Sequence, residues 1–530
     1  MGRGTGVRIP GSGGAVGAGG TGYRRGRPSL LAPLRRRAGP CRSGNRGTEG
    51  LTVGAFTRIL AHELRSLLAD RIVWIAAVAV LLLTGYGVHV GARSADAQRA
   101  QVTTALEEEG ARYTELASAM REIRNGTASP SPFQDPTRPY VAGRARGQRY
   151  AVLPASPFQA SAVGQSDLIP AVVPVTLDGA DPRSTREEIE NPVHLLSGPL
   201  DLAFLITFLL PLLALAVSFD MMSREREQGT LALLLSQPVS ARSIVVAKLL
   251  ARWGLLFVLS VGAAAGALLL TGAEVAGDRF VLWMGVVGLY LGFWLGLAAL
   301  VNVTGRDSSR NAVALAFAWL VFVIVIPAGV QISAGLLHPV PSRAELVALE
   351  REEVRQVQEQ ASAVLAQYFD DHPELLPEGS VDEVDFQTRA FAVNEEVRQR
   401  LAPVRDRYRE GLESQNEWVR SLRWLSPTIL AYGTLLDLAG TGDARMARFE
   451  SEVARFHAEW VAHFEPMIFG NRRLTPEDLS RVPEWRFLEE EESITLAALP
   501  GLLGLLLMSG LILALTLAFL RDGGDRRWTP

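Results

Sequence analysis

The 530-residue chain has almost no cysteine and almost no lysine, and each shortage excludes a class of site. Its single cysteine, Cys41, can neither close a disulfide within the chain nor contribute to a multi-cysteine metal site. Its single lysine, Lys248, stands in the string VVAKLL, without the glycine loop of a G-x-x-x-x-G-K-[ST] phosphate-binding motif. The chain therefore carries no Walker A site, and a partner must bind any ATP and magnesium ion that drive it.

Motifs of hydrolytic and metal-dependent enzymes are also missing from the sequence. The seven histidines have no metal-ligand spacing, and the His62-Glu63 pair lacks the second histidine of an H-E-x-x-H motif. A G-x-S-x-G nucleophile turn is absent as well. We therefore assign no catalytic residue and no metal site, and we expect a protein that is not itself an enzyme.

The apolar residues that the sequence does have are gathered into long runs separated by charged stretches. Hydrophobic residues make up 48% of the chain and charged residues 21%, with a net charge of −3. A run of about 20 apolar residues spans a bilayer as a helix. The pattern predicts an all-α polytopic membrane protein with six transmembrane helices, at residues 72–90, 200–219, 249–270, 280–303, 311–334 and 494–520.

Polar segments around these spans divide the rest of the chain. Residues 1–54 are rich in Gly and Arg and form either a disordered basic arm or a misassigned start, with neither favoured. Residues 55–70 repeat apolar side chains at helical spacing, which favours a helix in the membrane interface over an ordinary cytoplasmic helix. The predicted divisions are 1–54, 55–90 with the first span, 91–198 as extracytoplasmic segment 1, 199–335 with spans two to five, 336–492 as extracytoplasmic segment 2, 493–520 with the sixth span, and 521–530 as a cytoplasmic tail.

Basic residues in the short loops set the predicted orientation. The loop between spans two and three and the link between spans four and five hold Arg224, Arg226, Arg242, Lys248, Arg306 and Arg310. The N-terminal flank and the C-terminal tail are basic too, and with six spans all four lie on one side, the cytoplasm. We therefore predict a multi-pass protein of the bacterial inner membrane with both termini cytoplasmic and both long polar segments outside.

The two long polar segments differ in pattern. Segment 1 begins with an acidic helical stretch and becomes rich in Pro, Ser and Gly after Asn125, which predicts loops and short extended pieces. Segment 2 has long charged helical patterns, with 31 Asp and Glu against 18 Arg, and is predicted to be mainly helical. Its apolar run Thr428–Ala439, with Asp437 near the end, is too short to span. This run could dip into the outer interface or form the core of the external domain, and the core is favoured.

The cytoplasmic loop 220–248 has the sequence DMMSREREQGTLALLLSQPVSARSIVVAK. It predicts a helical turn of alternating charge, then Gly229, then a leucine-rich apolar face that ends at Pro238, with Ser240 placed to cap the next helix. A short helix of this kind could dock in a groove of another protein. The loop could equally be a solvated connector with ordinary membrane-flanking arginines, and the residues alone do not separate these interpretations.

The same loop resembles the signature of type-2 ABC permeases. The string SREREQGTL is followed by LLSQPVS and then by a lysine. The residues that match the signature or lie beside it are Arg224, Glu225, Glu227, Gly229, Thr230, Leu231, Pro238, Ser240 and Lys248. In that family this loop meets the nucleotide-binding subunit, so the resemblance implies that these residues couple the chain to an ABC ATP-binding subunit.

Other pieces resemble a subgroup of these permeases with large extracytoplasmic segments. The approach to span two is similar at Gly198, Asp201, Phe204 and Pro211, as are the stretches HPVPSRAE and SPTILAYGTLLDLAGTG. The resemblance covers about residues 55–520, and the arm at 1–50 has no counterpart. It implies a membrane-spanning permease subunit, expected to be an exporter, whose partners are the ATP-binding subunit, a second copy or sister permease, and the lipid bilayer, with no nucleic acid.

Two other functions stay open at the level of the sequence. One is an ATP-driven mechanical device that acts on periplasmic partners without transport, which the size of segment 2 suits. The other is a membrane sensor or scaffold with no ATPase.

Within the spans, Asp201 and Pro211 are candidates for substrate contact or gating, because an ionisable group or a helix interruption there is a functional hypothesis. The alternative for Asp201 is a carboxylate that faces water at the end of a span. For Pro211 and Pro327, ordinary packed kinks are favoured.

Overall fold

Helices dominate the architecture, and most of them follow the apolar runs of the sequence. The computed structural model describes residues 48–164, 166, 170–180, 200–236, 240–305, 307–360, 385–488 and 491–522. The chain divides into two units, Met1–Gly50 and Leu51–Pro530, and the fold described below is that of the second. The predictions for residues 1–47, Gly198, Arg306, Pro238 and the tail from 523 lie outside the described residues.

The helices are numbered in chain order. They are α1 Thr48–Ala69, α2 Arg71–Arg124, α3 Leu202–Ala216, α4 Ser223–Glu227, α5 Thr230–Leu235, α6 Ala241–Thr271, α7 Gly277–Thr304, α8 Ser308–Leu337, α9 Arg343–Glu359, α10 Phe386–Leu422, α11 Pro427–Ala439, α12 Asp443–Phe469 and α13 Glu491–Asp522. Short helical turns lie at Pro139–Val141, Ala142–Arg146, Gln159–Ser161, Arg423–Leu425 and Asp478–Arg481. The strands are β1 Arg149–Val152 and β2 Val172–Val175.

Five helices among the described residues are long and apolar enough to cross a membrane. They are α2, α6, α7, α8 and the part of α13 from Leu496 to Arg521. These helices contain five of the six predicted runs and confirm a helical polytopic membrane protein. The remaining run, predicted as span two, forms the shorter apolar helix α3.

Two of the apolar helices contain a wider, π-helical stretch just before a proline. Pro211 follows Leu205–Leu209 in α3, and Pro327 follows Leu320–Val325 in α8. A proline has no N–H, and its ring crowds the carbonyl four residues earlier, so one regular helical hydrogen bond is lost there and a wider turn relieves the crowding. Pro211 and Pro327 thus mark local interruptions of α3 and α8, and the role of Pro211 in gating stays a prediction.

Helix α2 continues without interruption from the first apolar run into the acidic stretch after it. Its 54 residues correspond to about 80 Å at 1.5 Å per residue. Asp70 begins the helix, and its carboxylate accepts a hydrogen bond from the Ile72 N–H at 2.9 Å. The predicted first span and the predicted helical start of segment 1 are therefore one rod.

The far half of α2 packs into a hydrophobic core of its own. Strands β1 and β2 pair antiparallel beside it, with Arg149 opposite Val175, which confirms the short extended pieces predicted here. The Trp460 core, named after its fully buried indole, includes Leu116, Met120, Val173, Val175, Phe449, Trp460 and Phe464. It joins α2, the two strands and α12 into one body.

Helix α11 packs among the apolar helices, not in the Trp460 core. The Tyr290 hydroxyl of α7 lies 3.0 Å from the Thr428 hydroxyl at the start of α11. Its side chains Leu430 and Leu435 belong to the same buried cluster as Trp294 of α7 and Leu505 of α13. The favoured prediction that this run forms the core of the external domain is therefore wrong, because its apolar face finds its partners on α7 and α13.

Candidate functional site

Two short helices, α4 and α5, form the loop that the sequence singled out. Gly229 separates them with φ 71°, a backbone conformation that side chains rarely adopt. Among the described residues, a Cβ at this position would meet no atom within 4 Å, so the glycine serves the turn and not a close approach. Ser240 caps α6 as predicted, because its hydroxyl oxygen accepts the Ser243 N–H at 3.1 Å.

A buried group of four charged side chains ties this loop to α1 and α6. The Lys248 ammonium lies 2.7 Å from Glu225 Oε1 and 2.8 Å from Glu63 Oε1. The Arg252 guanidinium lies 3.3 Å from Glu63 Oε2 and donates a second hydrogen bond to the Val217 carbonyl at 3.0 Å. We call Glu63, Glu225, Lys248 and Arg252 the Lys248 network.

The side chains of the Lys248 network are largely buried, so their charges interact with little screening by water. The Lys248 side chain is 5% exposed and that of Glu63 is 11% exposed. Burial raises the pKa of the Glu63 carboxyl, but the charges of Lys248 and Arg252 outweigh it and leave that pKa below its usual range. The glutamate therefore stays ionised, and the two carboxylates balance the two cations.

A second set of contacts joins α4 to the link between α7 and α8. The Glu227 carboxylate accepts the Ser308 N–H at 2.7 Å, and the Ser223 and Ser308 hydroxyls lie 2.9 Å apart. Arg226 donates to the Gly305 carbonyl. The two loops that were predicted to share the cytoplasmic side thus lie at the same end of the helices and contact each other directly.

Asn302 is the fully buried polar residue behind these contacts. Its amide donates to the Ser218 carbonyl at 3.0 Å, and its side-chain oxygen accepts the Met222 N–H at 3.1 Å. Asn311 donates to the same oxygen at 3.3 Å. An amide inside an apolar helix thereby fixes where α3 ends and the loop begins.

The exposed face of the α4–α5 loop carries both apolar and charged side chains. Leu231 is buried beside Met222 and Ile244, whereas Leu233 is 71% exposed. The Arg224 side chain is 64% exposed on the neighbouring helix. The predicted leucine face is therefore split, with one leucine anchoring α5 and another free to meet a second protein.

The predicted coupling residues come together only in part. Glu225, Glu227 and Lys248 lie in the contacts described above, and Pro238 lies outside the described residues. Asp201 lies elsewhere: it caps α3, accepting the Phe204 N–H at 2.8 Å and the Val163 N–H at 2.9 Å.

Sequence reasoning missed three residues of the site, Glu63, Arg252 and Asn302. Glu63 lies in the amphipathic stretch 55–70, whose pattern does not say which polar residue turns inward, and Arg252 lies at the start of a span. Asn302 carried a usable signal, since a polar amide within a long aliphatic run needs a partner.

Comparisons with known proteins place the chain in a family. The family model described as "ABC-2 family transporter protein" matches residues 57–521. The chain is also 37% identical over 136 residues to the "Probable ABC transporter permease protein NosY" of Stutzerimonas stutzeri. That match covers 23% of this chain and 48% of the relative, so the chain spans about half the length of the curated relative it matches.

The family match extends over nearly all the described residues and includes most of α1, the α4–α5 loop and the apolar helices. The chain belongs to the ABC-2 family of transporter proteins.

Proposed function

We propose that this permease is the transmembrane half of an exporter, driven by ATP hydrolysis in a separate nucleotide-binding subunit that docks on α4 and α5. The observation that carries the proposal is the exposed Leu233 on α5, which directly follows α4, the helix that Glu225 ties to the Lys248 network. A docking helix must present side chains to its partner and also pass force to the spans. The α4–α5 loop has both properties.

The proposed topology has six crossings, with α3 as the second. The Leu202 backbone at the start of α3 lies against Gly87, sixteen residues into α2. The chain after α3 reaches Asn302, near the opposite end of α7, at Met222. Residues 202–222 thus run from the Gly87 end of the helix bundle to the Asn302 end. This path supports a membrane crossing although the helix α3 itself is short.

The side that carries the α4–α5 loop is proposed to be the cytoplasm of a bacterial inner membrane. Both termini would then be cytoplasmic, and the Trp460 core would lie outside. The test uses Cys41→Ser protein with single cysteines at Ser118, Ser236 or Ser309, all exposed positions. An impermeant thiol reagent added to intact cells should label only the cysteine at 118, and labelling at 236 would reverse the orientation.

The proposed mechanism starts when ATP closes two nucleotide-binding subunits on each other. This closure displaces α4 and α5, and the ion pairs of Glu225 and Glu63 with Lys248 carry the displacement to α6 and α1. The hydrogen bonds of Glu227 and Arg226 carry it to the start of α8. A second copy or a sister permease would supply the other wall of the pathway.

The docking experiment replaces one exposed leucine with arginine and measures recovery of the ATP-binding subunit with the permease. Leu233→Arg should lower co-purification about tenfold or more, because it places a charge in an apolar contact. Leu349→Arg is the matched control, since Leu349 is 49% exposed on α9, which would lie outside. Equal co-purification of both variants would contradict docking on α5.

A mechanical device without transport is the second candidate function, and the continuous rod α2 favours it. The rod leads from Asp70, directly after α1, to the Trp460 core. A stroke at the Lys248 network would reach that core through one helix. Flux of a substrate into inside-out vesicles would support the exporter, whereas ATP-dependent movement of the core without flux would support the device.

A further inference from the structure

A cavity of about 130 Å³ lies between the helices α2, α3 and α6. Its lining is Ala76, Ala79, Val80, Leu83, Thr84, Leu202, Leu205, Ile206, Leu209, Leu210, Leu213 and Ser260. The volume is far above the roughly 10–15 Å³ that a single water requires. We propose that the cavity binds a hydrocarbon chain with an oxygen function partway along it, and that this chain enters from the bilayer.

The apolar lining selects a hydrocarbon occupant. All but two of the lining residues are aliphatic, so a charged or strongly polar ligand would lose its hydration without replacement. Leu83 lines the cavity and is 41% exposed, so we place the mouth there. The adjacent Leu81 and Leu82 are 51% and 70% exposed, so the mouth is bordered by side chains that face the bilayer in a membrane-spanning helix.

Ser260 is the reason to expect an oxygen function on the bound hydrocarbon chain. It lines the cavity, is 6% exposed, and its hydroxyl has no hydrogen-bond partner among the described residues. It lies twelve residues after Lys248 and twelve before Gly272, so it is near the middle of the apolar run 249–270. A hydroxyl without a partner in an apolar environment favours a ligand that brings a carbonyl or hydroxyl oxygen to that depth.

The inference deepens the proposed transport function by naming a class of transported molecule. That this hydrocarbon chain is transported rests on the proposed function, whereas its binding does not. Binding itself is measured without ATP or the partner subunit. A failure of coupling at α5 would therefore leave the binding result intact, and a failure of binding would leave docking untouched.

The test uses the full chain in phosphatidylcholine nanodiscs and a fatty acid with a photoreactive diazirine in mid-chain. Labelled positions are mapped by mass spectrometry, and stearic acid and 12-hydroxystearic acid compete with the probe. Labelling should concentrate on α2 and α6 at the cavity. The hydroxylated acid should compete at a concentration about fivefold lower than stearic acid, the advantage of one buried hydrogen bond.

Three variants sharpen the result. Ser260→Ala should remove the advantage of the hydroxylated acid, and Ala76→Phe should reduce labelling about tenfold by filling the cavity. Val78→Phe is the matched control, because Val78 is 53% exposed on α2 and does not line the cavity.

Two outcomes of the labelling would overturn the proposal. One is labelling at the cavity no stronger than at the exposed Leu507 on α13. The other is a preference for the hydroxylated acid that survives Ser260→Ala. Cysteine cross-linking between two copies at position 79 would assign the cavity to a subunit interface and would also overturn it.

Discussion

The Lys248 network and the Trp460 core are both buried, but they are built from opposite kinds of side chain. Four charged groups hold the first together through ion pairs of 2.7 to 3.3 Å. Aromatic and aliphatic groups fill the second, and the Trp460 indole makes a hydrogen bond to the Gly143 carbonyl at 2.9 Å. Ion pairs thus hold the Lys248 network together, whereas apolar packing holds the Trp460 core together.

The difference teaches how each region can respond to force. An apolar core gains its free energy from tight packing and resists any change of shape. Buried ion pairs add little net stability, because desolvation offsets attraction, but they are directional and fail when one partner moves away. We therefore regard the Trp460 core as a rigid body and the Lys248 network as the link that carries movement, and four predictions test that contrast.

The largest expected effect is that of Trp460→Ala in the rigid body. Removing a fully buried indole should cost about 3–5 kcal/mol of folding free energy through lost burial and a cavity. Thermal unfolding followed by tryptophan fluorescence in detergent should show the loss as a lower first transition. Co-purification of the ATP-binding subunit should stay normal, and its loss would mean that the two regions are not independent.

Lys248→Met should have the next largest effect. It leaves the Glu225 carboxylate buried without its cation, while Arg252 still pairs with Glu63, and the expected cost is about 3 kcal/mol. Thermal unfolding measures the cost, and stimulation of the ATPase should fall with it. Arg310→Met is the control, because the Arg310 side chain is 82% exposed and should change neither quantity. Equal behaviour of the two variants would contradict the network's role.

A pH effect of about 2 kcal/mol is expected in the rigid body, from His457 on α12. Burial, aided by the charge of Arg398, lowers the pKa of this histidine to about 4. Below its ordinary pKa of 6.5 the unfolded chain gains a proton that the folded chain does not, so stability falls as the pH drops from 6.5 toward 4. Melting temperatures between pH 7.5 and 4.5 measure the slope, and His457→Leu should flatten it. An unchanged slope would refute the assignment.

Glu227→Arg and Gly229→Trp should have the smallest effect on stability. They should nevertheless have a large effect on stimulation of the ATPase. The Glu227 contact is at an exposed position, and position 229 has no close neighbour, so each change should cost about 1 kcal/mol. ATPase stimulation should nevertheless fall several-fold, because both changes disturb the outward face of the loop. The control is Glu413→Arg, an exposed change on α10, because the link between α7 and α8 bonds to α4 directly. Equal ATPase stimulation in all three variants would contradict the account.

Sequence reasoning located most helices because their apolar runs are long, and it located the α4–α5 loop because its signature is local. The Ser240 cap and the turn at Gly229 follow from residue type alone. Pairings between distant segments were not predictable: Glu63 meets Lys248 across 185 positions, and nothing in an amphipathic helix says which polar residue turns inward. Helix α11 was misplaced for the same reason, because a short apolar run does not reveal the surface on which it packs.

Cross-linking at Leu233 tests the central claim most directly. A single cysteine at this position, in Cys41→Ser protein, is paired with single cysteines around the groove of the ATP-binding subunit in native membranes. The account predicts a disulfide-linked heterodimer whose yield changes when ATP is bound, and no such product from Leu349→Cys. A permease that shows no cross-link at position 233 under any nucleotide condition, while still stimulated by ATP, would contradict coupling through this loop.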